Sequence, residues 1–324
     1  MKAILCSRYG AADDLELRDL PQPQAGQGEV VVKVAAAALN FFDTLLIAGK
    51  YQVKPDFPFS PAAEFSGVVE SVGAGVTLVA PGDRVAASTR YGAAREMIAV
   101  AADRLTKLPP KLGFEQAAGL IVTYGTTLHA LKDRAGLQTG ETLAVLGASG
   151  GVGIAAVEIG KLMGARVIAC ASSDDKLAFT RQHGADDTIN YDKEDLKDAL
   201  RRVTGGNGPD VIYDPVGGKY AELALRAIAW EGRYLVVGFA AGEIPKVPLN
   251  LVLLKSCDVR GVAWGAWNER KPEDHRAIVA QLMQWCVEGK LKVHIHAEFP
   301  LEKTADALKV LADRKAMGKV ILTM

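Results

Sequence analysis

Through the second half of the chain, apolar runs too short for helices alternate with stretches of helical length. The run at residues 142–146 ends in a glycine-rich turn, and a small-residue helix is expected over 154–163. Further short runs at 166–170, 188–190, 211–214, 233–238 and 258–263 read as strands. Helical spacing falls between most of them, at 174–183, 193–203 and 219–230. Strands alternating with helices of this length predict an α/β fold whose doubly wound parallel sheet is covered on both faces.

The residues ahead of this region follow a different rule. Residues 2–7 alternate, 29–37 form a strong strand, and 65–72 and 84–87 form shorter ones. Turn signals at 21–26, 73–75 and 81–83 separate them. Short strands with Gly/Pro turns predict a compact, partly open β-barrel. The tail carries helices at 272–288 and 304–313, an extended piece at 294–299 and a strand at 319–322. Its expected place is back on the first domain, since chain ends are often close in space. The expected domains are therefore 1–122, completed by 265–324, and 123–264.

A length of 324 residues agrees with two domains. Lysine plus arginine balances aspartate plus glutamate at 38 each, so no bulk attraction to nucleic acid or an anionic membrane is expected. Cys6, Cys170, Cys257 and Cys286 are scattered without a CxxC pair, as for small apolar residues of a reducing compartment. The first five residues are too short for a signal peptide, and no apolar run has membrane-spanning length. The expectation is a cytoplasmic protein with no membrane insertion.

Chemistry enters at the glycine-rich turn. Aligned to G-x-G-x-x-G it reads Ala148, Ser149, Gly150, Gly151, Val152, Gly153. Between a strand and a helix, such a turn offers backbone N–H groups at a helix start to a pyrophosphate. Glycines also mark ordinary tight turns; the βαβ spacing is what favours a dinucleotide. NAD sites place an acidic residue about 20 residues further on, at the ribose 2′-hydroxyl. Here Ala171 is followed by Ser172, Ser173 and, one helical turn on, Lys176. Two hydroxyls and a cation suit a 2′-phosphate, which a carboxylate would repel. Two other readings stand beside this one: Ser173 caps the following helix, and Asp174 reaches the ribose. NADPH is favoured over NADH.

The motifs then assemble in a known order. They are Leu39-Asn40-Phe41-Phe42-Asp43, Gly49-Lys50-Tyr51, Pro58-Phe59-Ser60-Pro61 leading to Glu64-Phe65-Ser66-Gly67, and Gly82-Asp83-Arg84-Val85. Thr126-Thr127-Leu128, the glycine turn, Asp214-Pro215-Val216-Gly217-Gly218 and Gly318-Lys319-Val320 follow. Over its whole length the chain resembles the medium-chain dehydrogenase/reductase superfamily, in its zinc-independent quinone oxidoreductase (zeta-crystallin-like) branch. One departure is Ala62, where the family usually has glycine.

The resemblance implies a Rossmann domain joined to a GroES-like, partly open β-barrel domain, with NADPH in the cleft between them. It implies that Asn40, Asp43 and Tyr51 face the substrate and that Thr126 contacts the nicotinamide end. Tyr191 would lie beside the adenosine phosphate, with Gly238 and Phe239 also on the cofactor. It further implies a homodimer through the edge of the Rossmann sheet. From the residues alone the better reading is that Asn40 caps a helix over 41–48, with Asp43 as its first-turn acid and Tyr51 an edge aromatic; the resemblance is what turns the choice to the substrate side. Glu64 is assigned to structure or electrostatics, Tyr191 to stacking or packing, and Trp264 and Trp267 to a substrate wall or to hinge packing.

No metal is expected. Zinc-dependent relatives use cysteine and histidine ligands; the matching places here hold Asn40, Ala63 beside Glu64, and apolar residues near Ile121. Quinones accept a hydride without an activating metal, Tyr51 or water bonding the developing oxyanion. The expected activity is NADPH-dependent quinone reduction. The alternatives are reduction of activated C=C bonds (enones or 2-enoyl thioesters) and a cofactor-binding structural or RNA-binding role with little catalysis.

Overall fold

The strand Glu29–Leu39 organises the first part of the chain: valines fill its first half and a run of alanines its second. β-branched side chains favour a pleated backbone, and alanines let neighbouring layers approach closely. One edge pairs antiparallel with Glu64–Val72. The other edge is shared, by Met97–Ala101 along residues 29–33 and by Lys319–Thr323 along residues 36–39. Register shifts at Val31/Val32 and Val34/Ala36 bend the strand between its two partners.

The computed structural model describes all 324 residues and divides into two units, Met1–Val122 with Glu273–Met324, and Thr123–Pro272. In the first unit the sheet runs Ile295–Pro300, Lys319–Thr323, Glu29–Leu39, Glu64–Val72, Arg84–Ser88, Thr106–Lys107. Its core gathers Val32, Leu39, Leu46, Phe65, Val85 and Leu322, with Leu308 from the helix Thr304–Ala312. A separate hairpin joins Lys2–Leu5 to Glu16–Asp19.

The second unit is a six-stranded, wholly parallel sheet. Its order is Asp187–Asn190, Arg166–Ala171, Thr142–Leu146, Val211–Asp214, Arg233–Val236, Asp258–Gly261. Numbered within the unit this is 3-2-1-4-5-6, the doubly wound order, which reverses between Thr142–Leu146 and Val211–Asp214. Ligands of such sheets bind outside the carboxyl ends of the strands at that reversal. The glycine turn follows Leu146, and Pro215–Gly218 follows Asp214, so both lie there.

Several elements differ from the sequence expectation. The helix expected from 193 begins at Leu196, because the Asp195 side chain accepts the N–H of Asp198 and caps it there. The helix expected to 230 stops at Ala227, where Ile228 turns extended. The strands expected to 238 and 263 end at Val236 and Gly261. Short helices at Thr123–Leu128, Asn250–Lys255 and Trp264–Arg270 and a π-helix at His129–Ala135 had no expectation. Trp264 is buried against Gly125, and the Trp267 ring packs tilted on His129 with centroids 4.2 Å apart. No helix is long and apolar enough to cross a membrane.

Candidate functional site

Asn40 follows the long strand and opens the helix Phe41–Ile47. It occupies the N-cap position with an extended backbone, but its amide is spent elsewhere. Nδ2 donates to Glu64 Oε1 at 3.0 Å, and Oδ1 accepts from Lys319 Nζ at 2.6 Å. Lys319 also donates to Glu64 Oε1 at 2.8 Å, and Glu64 Oε2 accepts the N–H of Val122 at 2.7 Å. Glu64 and Lys319 form an ion pair with side chains 0% and 2% exposed. A buried charge is tolerated only when paired and hydrogen-bonded, and here both conditions hold. Lys319 belongs to a motif noted in the sequence, yet no role had been assigned to it.

The helix start is capped by Asp43 instead. Its Oδ2 accepts the N–H of Asn40 at 2.8 Å and its Oδ1 the N–H of Ala62 at 3.0 Å. Burial pushes the Asp43 carboxyl up to about 7, against the pull of those two N–H groups and of Lys319. Both oxygens go to backbone, so Asp43 orients Asn40 and Ala62 rather than the Tyr51 hydroxyl. Tyr51 is half-buried and stacks on Phe42 at 5.3 Å. Burial, then the charge of Asp43, push its hydroxyl above the ordinary phenol value.

In the second unit, Gly147 has φ +58°, and a Cβ on Gly153 would lie 2.2 Å from the Gly147 carbonyl oxygen. The turn therefore closes tightly onto the helix Gly151–Leu162, with Gly150 at its N-cap and Ala148 and Ser149 buried. The first N–H groups of that helix, from Gly151, Val152 and Gly153, have no intrahelical acceptor. A glycine cradle at a helix N-terminus fits a dinucleotide pyrophosphate.

At the end of the strand Arg166–Ala171, Ser173 caps the helix Asp174–Gln182, and Lys176 Nζ donates to Ser172 Oγ at 3.4 Å. Asp174 is held from both sides, by Asn190 Nδ2 at 2.7 Å and Lys193 Nζ at 2.5 Å. Those two bonds keep its carboxyl below the ordinary value. Sequence reasoning missed Asn190 and Lys193, which sit on the next strand end and turn. Tyr191, beside them, packs on Tyr220 with ring centroids 4.3 Å apart.

Three further candidates surround the reversal point. Thr126 is buried on the helix Thr123–Leu128, whose Thr127 lies 2.9 Å from the Tyr213 hydroxyl. Asp214 accepts the N–H groups of Val216 and Gly217 at 2.7 and 2.8 Å, and the Tyr234 hydroxyl, so the loop after its strand is pinned. Gly238 donates to the Asp214 carbonyl at 3.3 Å, and half-exposed Phe239 packs beside Gly217. No group of three or more His, Cys, Asp or Glu side chains stands together with metal-holding geometry.

Two family models match the chain, the alcohol dehydrogenase GroES-like domain over residues 26–110 and the zinc-binding dehydrogenase model over residues 151–284. The quinone oxidoreductase-like protein 2 of Rattus norvegicus is 38% identical over 100% of this chain and 92% of its own length. The quinone oxidoreductase of Pseudomonas aeruginosa is 34% identical over 99% of each. Among solved structures, an Escherichia coli quinone oxidoreductase complexed with NADPH aligns with a TM-score of 0.95 at 27% identity, over 100% of both chains. Taken with the doubly wound sheet and its glycine cradle, these likenesses make the chain an NAD(P)-dependent oxidoreductase belonging to the quinone oxidoreductase branch of the medium-chain dehydrogenase/reductase superfamily.

Proposed function

We propose that the protein is an NADPH-dependent quinone reductase that works without a metal. The observation that carries the metal-free reading is Lys319. Its ammonium already takes up the donor atoms of Asn40 and Glu64, at 2.6 and 2.8 Å. These are the positions where zinc-dependent relatives would need free ligands. The donor set does not fit zinc, and no step is assigned to one.

NADPH over NADH is supported by the fate of Asp174, whose two oxygens are engaged by Asn190 and Lys193. Ser172, Ser173 and Lys176 then supply hydroxyls and charge for a 2′-phosphate. When bound, the reduced nicotinamide supplies a hydride from its C4 position. The chain's own residues bind and orient. The turn 148–153 receives the pyrophosphate, Thr126 contacts the nicotinamide end, and Tyr191, Gly238 and Phe239 line the cofactor. In the first unit, Asn40 and Tyr51 donate hydrogen bonds to the quinone oxygen as charge develops there. The raised hydroxyl of Tyr51 keeps its proton at neutral pH and serves as a donor. Asp43 holds the backbone that carries Asn40. No strong general acid is needed, because the reduced quinone is a stabilised aromatic oxyanion.

We also propose a homodimer through the edge strand Asp258–Gly261, which pairs on one side only. Nearby Leu249, Leu253 and Leu254 are 80%, 79% and 66% exposed, an apolar patch that a second copy would cover. Four free cysteines suit a reducing compartment, and we place the protein in the cytoplasm.

The test is nicotinamide absorbance loss with chelator-treated protein, NADPH and NADH run in parallel against a small quinone and an enone or enoyl thioester. Fast NADPH loss with the quinone alone is the expected result. Turnover only with the conjugated carbonyl would make the protein an enoyl reductase. Tight NADPH binding without turnover, or strongly salt-dependent RNA binding, would make it a non-catalytic binder.

A further inference from the structure

Asn40 sits between a cation and an anion, and this settles which way its amide points. A lysine ammonium only donates, and a carboxylate only accepts. Lys319 Nζ meets Oδ1 at 2.6 Å, and Glu64 Oε1 meets Nδ2 at 3.0 Å. Turning the amide over would set NH2 against the ammonium and the carbonyl oxygen against the carboxylate. Both contacts would become repulsive inside a fully buried pair. The orientation of an asparagine amide follows from its hydrogen-bond partners, and here both partners dictate the same one.

The hydrogen-bond count then leaves one group over. Lys319 uses its three protons on Asn40 Oδ1, Glu64 Oε1 and the Leu39 carbonyl, the last at 3.4 Å. Glu64 is filled by Asn40, Lys319 and the Val122 N–H. The second proton on Asn40 Nδ2 has no acceptor in the chain, and Asn40 keeps 7% exposure. We infer that Lys319 and Glu64 lock the polarity of the Asn40 amide, so that its remaining N–H is a one-way donor to an oxygen of the substrate. Lys319 is thus a positioning residue, acting through Asn40. Such an amide favours substrates presenting a carbonyl or quinone oxygen that gains charge in the reaction, and with its Oδ1 taken by Lys319 it offers no acceptor to a substrate hydroxyl. The use of this donor in turnover rests on the quinone-reductase reading; the lock itself does not.

The test compares the native protein with Lys319→Met and with Lys319→Met/Glu64→Gln, all full-length. The single change strands a buried carboxylate and is expected to destabilise the fold. The double change removes both charges in near-isosteric form. Selective 15N-asparagine labelling gives five side-chain amide pairs, and an Asn40→Asp variant identifies the Asn40 pair. Expected for the double variant are a native-like thermal midpoint, a displaced Asn40 amide resonance with faster solvent exchange, and kcat for quinone lower by roughly 100-fold. The KM for NADPH should stay within about twofold of native, since the cofactor-side residues are untouched. A double variant with native kcat, or an unmoved amide resonance, overturns the inference. Absence of quinone turnover in the native protein would sink the functional reading instead, while the resonance would still decide the lock.

Discussion

The Asp43 carboxylate reaches across 19 residues of sequence to accept the backbone N–H of Ala62 at 3.0 Å, and Ala62 is held there at φ +66°. This left-handed conformation accounts physically for the glycine that relatives usually carry at the position. Strain at a non-glycine residue costs about 1–2 kcal/mol. Replacing alanine by glycine relieves it, but loosens the unfolded chain by about 0.4–1 kcal/mol and removes a methyl buried for about 0.8 kcal/mol. These effects nearly cancel. Ala62→Gly should change stability by less than about 0.5 kcal/mol, and Ala62→Val should cost more than about 2 kcal/mol. Urea unfolding checks both; a Gly variant as damaged as the Val variant would remove strain from the account.

The same carboxyl gives the fold a pH signature. Its pKa is raised to about 7 by burial. Between about pH 4 and 7 the folded chain keeps this proton while the unfolded chain has released it. The stability it contributes is present below pH 4 and is lost as pH rises through 7. Asp43→Asn abolishes that dependence while costing stability through a lost N–H acceptor. The stability gap between native and variant should therefore narrow from pH 4.5 to pH 7.5. A gap that widens with pH would mean the carboxylate is ionised in the fold.

Cofactor choice can be tested at two lysines with different jobs. Lys176→Met removes a cation from beside Ser172 and should lower the NADPH-over-NADH preference in kcat/KM by about 10-fold or more. Lys193→Met instead releases Asp174, whose carboxylate then repels a 2′-phosphate. It should lower the same preference by a few-fold, partly through better use of NADH. Equal losses with both cofactors would place these lysines in general stability.

The exposed leucines give the assembly prediction. Leu253→Lys puts a charge in the middle of the apolar patch formed with Leu249 and Leu254. The native protein should elute as a dimer by light scattering and the variant as a folded monomer with unchanged circular dichroism. A native monomer would leave the patch without this explanation.

Much of the second unit was legible because its periodicities are long enough to measure. Runs such as Thr142–Leu146 and the helix Gly151–Leu162 separate cleanly by length, and the glycine turn fixes the first βα connection. Elements shorter than two helical turns, such as Trp264–Arg270 and Asn250–Lys255, carry no such period and escaped notice. In the first unit, Asn40, Asp43 and Tyr51 stood out by motif, yet the partner that explains Asn40 did not. Lys319 left a signal nonetheless. It begins the run Lys319-Val320-Ile321-Leu322, which otherwise reads as fully buried, and a charge there requires a counter-charge. Its partner, Glu64, lies 255 residues earlier, and no local pattern links the two. Lys193 was missed for a related reason: its pairing with Asp174 depends on how the turn after Asn190 closes.

The order in which the ribosome delivers these residues gives the Lys319–Glu64 pair a further meaning. Residues 123–272 form a contiguous unit that can fold as soon as it has emerged. The earlier residues cannot finish their own sheet until the strand Lys319–Thr323 arrives, and until then Glu64 has no cation. A nascent chain therefore carries a completed nucleotide fold and a half-made one whose interior carboxylate must remain hydrated. Insertion of one late strand closes the sheet and neutralises that charge together, so the centre that holds Asn40 is among the last parts of the molecule to exist.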